Sequence, residues 1–184
     1  MDEQAYILAQ DIGIYSCKAV LYTLDGRTAA SNTVYYRPVT EKNGRSTQSP
    51  ALWWKAFCTN CRTLLHEIPP HRVRAVCLCG QMMACLPVDK DGEPLCDSVT
   101  WDDRGTQTQA HEIAAVLSAG RVHQITGVCL SQGFSLSKLL RLKQEDADLY
   151  EKASKFIQCK DYINHPPLRR AGDRRDGRGL PTGS

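Results

Sequence analysis

The opening stretch of the chain changes from one hydrophobic pattern to another within a few residues. Tyr6-Ile7-Leu8-Ala9 is an unbroken apolar run, as expected of a strand covered on both faces, and Asp11-Ile12-Gly13 ends it. From Cys17 to Leu24 apolar and polar positions alternate, which predicts a second strand. Asp25-Gly26 then predicts a hairpin, because both residues accept positive φ. A third strand over about Thr28 to Tyr36 completes a meander.

Ser49-Pro50 marks a helix start, with Ser as N-cap and Pro at the first helical position, where its missing N–H costs nothing. Trp53, Trp54, Phe57, Cys61, Leu64 and Leu65 recur at helical spacing and predict one apolar stripe as far as His66, closed by Pro69-Pro70. Arg72 to Cys79 returns to a β-rich run, and Ala84 to Val88 with a turn at Asp91-Gly92 predicts a further strand pair. Helices are expected over 107–119, 137–144 and 147–153. A meander followed by helix, strand and more helices predicts an α/β domain, a mixed β-sheet with flanking helices. No internal repeat is present, which excludes solenoid architectures.

Beyond His165 the character changes. Only Leu168, Ala171 and Leu180 offer apolar surface there, among five Arg and two Asp, so burial cannot offset the entropy of ordering. The sequence thus predicts a globular unit over 1–164 and a disordered basic Gly/Pro/Arg-rich tail over 165–184. The tail carries the whole formal charge of +3, leaving the body neutral, which argues against a nucleic-acid-binding face. Met1-Asp2-Glu3-Gln4 lacks the basic start of a secretory signal and no run approaches the ~20 apolar residues of a membrane helix, so the chain reads as soluble, cytoplasmic and not membrane-bound. Nine cysteines at irregular spacings, several inside apolar runs such as Val76-Cys77-Leu78-Cys79, read as buried free thiols. Cys58-x-x-Cys61 with Cys77-x-Cys79 makes a poor zinc set, since one pair falls on a helix and the other on a strand face.

Three segments carry candidate chemistry. In Asp11-Ile12-Gly13-Ile14-Tyr15-Ser16-Cys17-Lys18 an acid ends a strand and a glycine turn follows. Such a turn can aim backbone N–H groups at a phosphate while the carboxylate holds Mg²⁺, or it can be an ordinary hairpin. Gly80-Gln81-Met82-Met83-Ala84 follows an apolar strand, and its glycine allows close approach of a ligand while Gln81 offers donor and acceptor to hydroxyls. A β-turn packed with methionines fits equally. Trp101-Asp102-Asp103-Arg104 pairs an aromatic plane with acids, suited to the apolar face and the hydroxyls of a sugar, or else one of its acids caps the next helix.

The order of these segments resembles the N-terminal domain of the FGGY carbohydrate kinases, most closely the xylulokinase-like members. The resemblance runs through Asp11-Ile12-Gly13 with Ser16 and Lys18, the Asp25-Gly26 hairpin and Gln48-Ser49-Pro50 before Trp53-Trp54. It continues through Gly80-Gln81-Met82, Gly92-Glu93-Pro94-Leu95, Trp101 to Arg104, Thr126-Gly127 and Lys160-Asp161-Tyr162-Ile163, covering about Tyr6 to Ile163. It implies a ribonuclease H-like, actin-like fold in which MgATP and a ketose or polyol meet between two domains. By resemblance Asp11 anchors the metal, Gly13, Ser16 and Lys18 serve the nucleotide, and Gln81, Met82, Trp101 and Asp103 line the sugar pocket.

Three departures from the family pattern carry expectations of their own. Ile14 and Tyr15 stand where relatives have small hydroxyl residues, so the phosphate turn loses two donors and is expected to change shape, weakening nucleotide binding. Met83 and Ala84 replace a histidine and a glycine. After Ile163, where relatives continue toward the aspartate that acts as general base and a second, ATP-binding domain, Asn164 leads into the basic tail. The expectation is a truncated kinase half, made by a splice or frame change, without turnover of its own. The alternative is a non-catalytic sugar-binding or interaction protein whose open sheet is covered by a partner chain.

Overall fold

The computed structural model describes residues 4–164, so the expected disorder of 165–184 lies outside the described residues. The predicted meander is present as strands β1 (Tyr6–Ile12), β2 (Ser16–Thr23) and β3 (Thr28–Tyr35), paired antiparallel in sequence. Gly26 at φ 84 makes the β2–β3 turn, as its place after Asp25 requires. Two short strands follow, β4 (Val39–Thr40) and β5 (Ser46–Gln48), and then helix α1 (Pro50–Leu64), with Ser49 as N-cap and Pro50 inside the first turn. The Ser49 side chain makes no capping hydrogen bond; its extended backbone alone sets up the turn.

A short 3-10 turn over Pro70–Arg72 leads into β6 (Val73–Gly80), which runs parallel to β1 and completes a mixed sheet in the order β3-β2-β1-β6. This pairing positions the site. In register, Asp11 lies between Lys18 of β2 and Cys79 of β6, and Ile12 lies opposite Gly80, so the ends of β1 and β6 deliver Asp11 and Gln81 to one place.

Helix α1 covers the β1–β3 face. Its Trp53, Ala56 and Leu64 are buried, and Trp53 sits edge-on to Tyr162 with ring centroids 6.2 Å apart. Between helix and sheet runs a buried polar seam in which Asn60 Nδ2 donates to the Gln10 side chain at 3.2 Å and to the Cys17 carbonyl at 3.1 Å. The thiol of Cys17 donates to Gln10 at 3.4 Å.

The remaining elements are β7 (Leu86–Val88), β8 (Ser98–Val99), α2 (Gln107–Val116), α3 (Ala119–Thr126), α4 (Ser135–Glu145), α5 (Ala147–Lys152), β9 (Lys155–Ile157) and α6 (Cys159–Asn164). β4, β5 and β8 form a small sheet, and β7 pairs antiparallel with β9. The turn at Asp91-Gly92 forms, but instead of a second strand it closes a single bridge between Val88 and Pro94. Among the described residues no helix is long and apolar enough to cross a membrane.

One expectation is corrected. The apolar run of β6 reads as a covered strand with buried thiols, yet Arg74, Ala75, Val76, Cys77 and Cys79 are all exposed. β6 is the sheet edge, and α1 lies over the other three strands, so one edge and most of both faces of β6 stay open. Cys17, Cys85 and Cys159 are the buried thiols.

Candidate active site

Asp11, Gly13, Ile14, Gly80, Gln81, Met82, Met83 and Trp101 line one hollow of about 350 Å³. They come from three segments far apart in sequence: the β1–β2 turn, the loop after β6, and the loop after β8. Asp11 is the one carboxylate of this lining and is exposed to solvent. Trp101 is 45% exposed at the hollow.

Gly80 lets the two strand ends close. A Cβ there would stand 2.7 Å from both the Cys159 Sγ and the Ile12 carbonyl oxygen. The same Ile12 carbonyl accepts from the Gln81 N–H at 2.8 Å, so the loop leaves β6 bonded to the end of β1.

The Gln81 side chain is held by a relay. Trp53 Nε1–H, which can only donate, donates to Gln48 Oε1 at 2.6 Å, and Gln48 Nε2 donates to the Ile14 carbonyl at 2.9 Å. The orientation of Gln48 is thereby fixed, so Gln81 must present its Nε2 to Gln48 Oε1, at 3.0 Å. Gln81 Oε1 is left buried without a hydrogen-bond partner among the described residues.

The β1–β2 turn closes on itself. The Gly13 N–H donates to the Ser16 carbonyl at 2.9 Å, and Tyr36 donates from its hydroxyl to the Gly13 carbonyl at 2.8 Å. Ile14 is buried, and neither Ile14 nor Tyr15 takes positive φ, so the strain expected of a β-branched residue here does not arise. The exposed Asp11 carboxylate fits a magnesium ion; the engaged Gly13 amide does not fit a phosphate. Ser16 is not part of the hollow's lining. Lys18 is outside it too, but directly opposite Asp11 in register, on the same sheet face.

Asp103 is elsewhere. Its side chain is fully buried and its two oxygens accept from the N–H of Ser46 at 2.9 Å, the N–H of Gly105 at 3.1 Å, and Arg141 Nη1 and Nη2 at 3.0 and 3.4 Å. Four donors leave no lone pair for a sugar, and the cap of α2 is Thr106, so neither reading of Asp103 from sequence matches its place. It joins β5, the loop before α2, and α4.

Sequence reasoning missed four contributors. Gln48 and Trp53 read as a helix-start flank and a core aromatic, and only the fold brings them under Gln81. Lys138 and Arg141 fall in the helix expected over 137–144, with no role read for either, yet Lys138 is 1% and Arg141 4% exposed. Lys138 Nζ donates to the Met83 and Gly133 carbonyls, and burial pushes its ammonium down to about 8. Their spacing of three, on one helix face, was the available signal.

The chain resembles known proteins throughout this region. It is 28% identical over 159 residues to a xylulose kinase of Staphylococcus xylosus and 27% identical over 159 residues to a gluconokinase of Bacillus subtilis. Each match takes in 86% of this chain and 33% or 31% of the relative, so the chain spans about a third of the length of these relatives. Among solved structures, gluconate kinase from Lactobacillus acidophilus superposes with a TM-score of 0.82 at 27% identity, over 88% of this chain and 32% of that one. A ligand-bound xylulose kinase from the same species gives 0.80 at 27%, over 86% and 32%. The fold is therefore that of the actin-like sugar kinases. Residues 6–166 match the N-terminal domain of the FGGY family of carbohydrate kinases, and the chain belongs to that family.

Proposed function

We propose that the hollow is the sugar subsite of an ATP-dependent sugar kinase and that this chain supplies the sugar-holding half of the reaction. The observation that carries this reading is the convergence of Asp11, Gln81, Met82 and Trp101 on one hollow from three segments. Trp101 covers the C–H face of a polyol or ketose, and a hydroxyl seated against Gln81 is the donor its orphaned oxygen lacks. Asp11 would hold magnesium directly or through water, and Lys18, opposite it in register, would attract phosphate oxygens. The magnesium ion, when bound, neutralises charge on the phosphoryl group being transferred. What the chain's own residues do is orient the acceptor hydroxyl and exclude water from one wall. Nucleotide contacts and the proton acceptor come from additional chain of the kind that makes up the other two thirds of the relatives.

D-Xylulose and D-gluconate are the acceptors to try. A ligand at ~100 times its Kd stabilises the folded state by about 2.7 kcal/mol, which raises the Tm of a chain this size by about 5–10 °C. Failure of every acceptor to move the melt overturns the reading. In an ADP-release assay the chain alone is expected to show no sugar-dependent turnover, and turnover would refute the division of labour.

The open β6 edge favours a second reading, in which the chain works by association with another protein. Cross-linking through exposed Cys77 and Cys79 in a native extract tests it, and an uncrosslinked monomer there would reject it.

A further inference from the structure

Met83 takes φ 60, and it is the one non-glycine residue with positive φ among the described residues. An unbranched L-residue enters that region only under constraint, because Cβ crowds the following carbonyl. The constraint comes from α4. Lys138 reaches through the interior and donates from Nζ to the Met83 carbonyl and, at 2.7 Å, to the Gly133 carbonyl. An ammonium held away from water between two carbonyl oxygens draws both toward itself. The loop after β6 and the loop before α4 are thus tied to one buried cation.

Met83 also has a place in two cavities. With Met82 it lines the sugar hollow and the neighbouring apolar cavity of about 420 Å³ formed with Val122, Val128, Leu130 and Phe134. The wall between the cavities is therefore set by a backbone conformation that Met83 would not adopt alone. The charged and titratable groups acting on Lys138 are Asp103 and Asp102 after β8, Cys85 ahead of β7, and Arg141 one turn along α4.

We propose that Lys138 is a positioning residue, which holds Met83 in its left-handed conformation and so fixes the wall that the Gly80–Met83 loop presents to the hollow. Its consequence for sugar affinity rests on the reading given under Proposed function; its consequence for the loop does not.

The test uses the unliganded chain first. In Lys138→Met, hydrogen exchange of peptides spanning residues 80–84 is expected to be on the order of tenfold faster, with α1 little changed. In a Met83→Gly background the same substitution should have less than half that effect on a logarithmic scale, because glycine sits at φ 60 without help. Equal effects in the two backgrounds, or unchanged exchange in Lys138→Met, would overturn the proposal. Where an acceptor binds the wild type, Lys138→Met should weaken it about tenfold, the scale of a modest misplacement. Unchanged affinity would overturn the proposal, whereas a chain that binds no acceptor yet shows the exchange pattern supports it and sinks the sugar reading instead. If Lys138→Met does not fold, the wild type still decides. With methyl-labelled methionine the chain carries three probes, and the Met83 signal should titrate with a midpoint near 8. A Met83 signal flat from about pH 6.5 to 9.5, well across the window where the Lys138 charge changes, would reject the proposal.

Discussion

Replacing Gly80 by alanine strikes the joint on which the hollow depends. The added Cβ would lie 2.7 Å from Cys159 Sγ, 2.7 Å from the Ile12 carbonyl oxygen and 3.2 Å from Ile12 Cβ. Ordinary contacts between such atoms are ~3.5–4.0 Å, so something must move by most of an ångström. None of the three neighbours can yield freely. The Ile12 carbonyl belongs to the β1 backbone and is bonded to the Gln81 N–H, Ile12 is fully buried, and Cys159 is fully buried at the start of α6. Overpacking of this kind costs about 1–3 kcal/mol, and with two hard collisions the upper end applies. For a chain of this length about 3 kcal/mol lowers Tm by about 6–12 °C. Differential scanning calorimetry on the purified variant measures it. Because the strand ends are forced apart, Asp11 and Gln81 should also separate, and acceptor-dependent stabilisation should fall with the Tm. A Gly80→Ala chain melting within a degree of wild type would mean that the joint has slack that the close contacts deny.

Asp103→Ala strands the Arg141 guanidinium without its carboxylate and should cost about 3–5 kcal/mol, while Asp103→Ala with Arg141→Met should recover much of it; equal losses in urea denaturation would contradict a buried pair. Gln48→Leu removes the acceptor of the Trp53 and Gln81 side chains at once, so a loss of about 2–4 kcal/mol is expected, and a neutral result would deny the relay. Stability should also depend on alkaline pH. Burial pushes the Cys85 thiol up to about 11 and Cys159 up to about 12, from 9.0. The unfolded chain releases these protons first, so this stability is intact below pH 9 and is lost as pH rises toward 11 and 12, by about 3 and 4 kcal/mol. Lys138 acts in the opposite sense: with its value brought down to about 8 from 10.5, it adds stability between those limits. The denaturation midpoint should peak near about pH 9 and fall steeply above 10.5, and a flat profile from 7 to 11 would contradict the burial of these groups.

Much of the fold was legible because its local chemistry and its tertiary role agree. Alternation from Cys17, the Asp25-Gly26 turn and Ser49-Pro50 each act through a few neighbouring residues, and each matches the strand, turn and helix found. The small sheet of β4, β5 and β8 was not legible, because strands of two or three residues carry too short a pattern to distinguish from loop. β6 misled in the other direction: its apolar run is that of a covered strand, and an edge position cannot be read from the run itself. At the site, Asp11, Gln81, Met82 and Trp101 were singled out through the family resemblance, because a hairpin, a methionine-packed turn and a helix cap account for the same local patterns without a ligand. Asp103 could not be sorted, since the choice between a ligand-facing acid and a buried ion pair depends on Arg141, 38 positions away. Lys138 and Arg141 were hidden for a related reason. A cation on a leucine-rich helix is ordinarily solvated, and only the carbonyls and carboxylate brought from other elements explain why these two are inside.

The hollow shared by Asp11, Gln81, Met82 and Trp101 is proposed to seat a sugar. Trp101 reports on it directly, because it is half exposed at the hollow whereas Trp53 is fully buried. Titrating D-xylulose and D-gluconate against tryptophan emission should give a saturable change in the wild type, retained in Trp54→Phe and abolished in Trp101→Phe. A saturable change that survives in Trp101→Phe, or none in the wild type with either acceptor, would mean that the hollow does not seat these sugars.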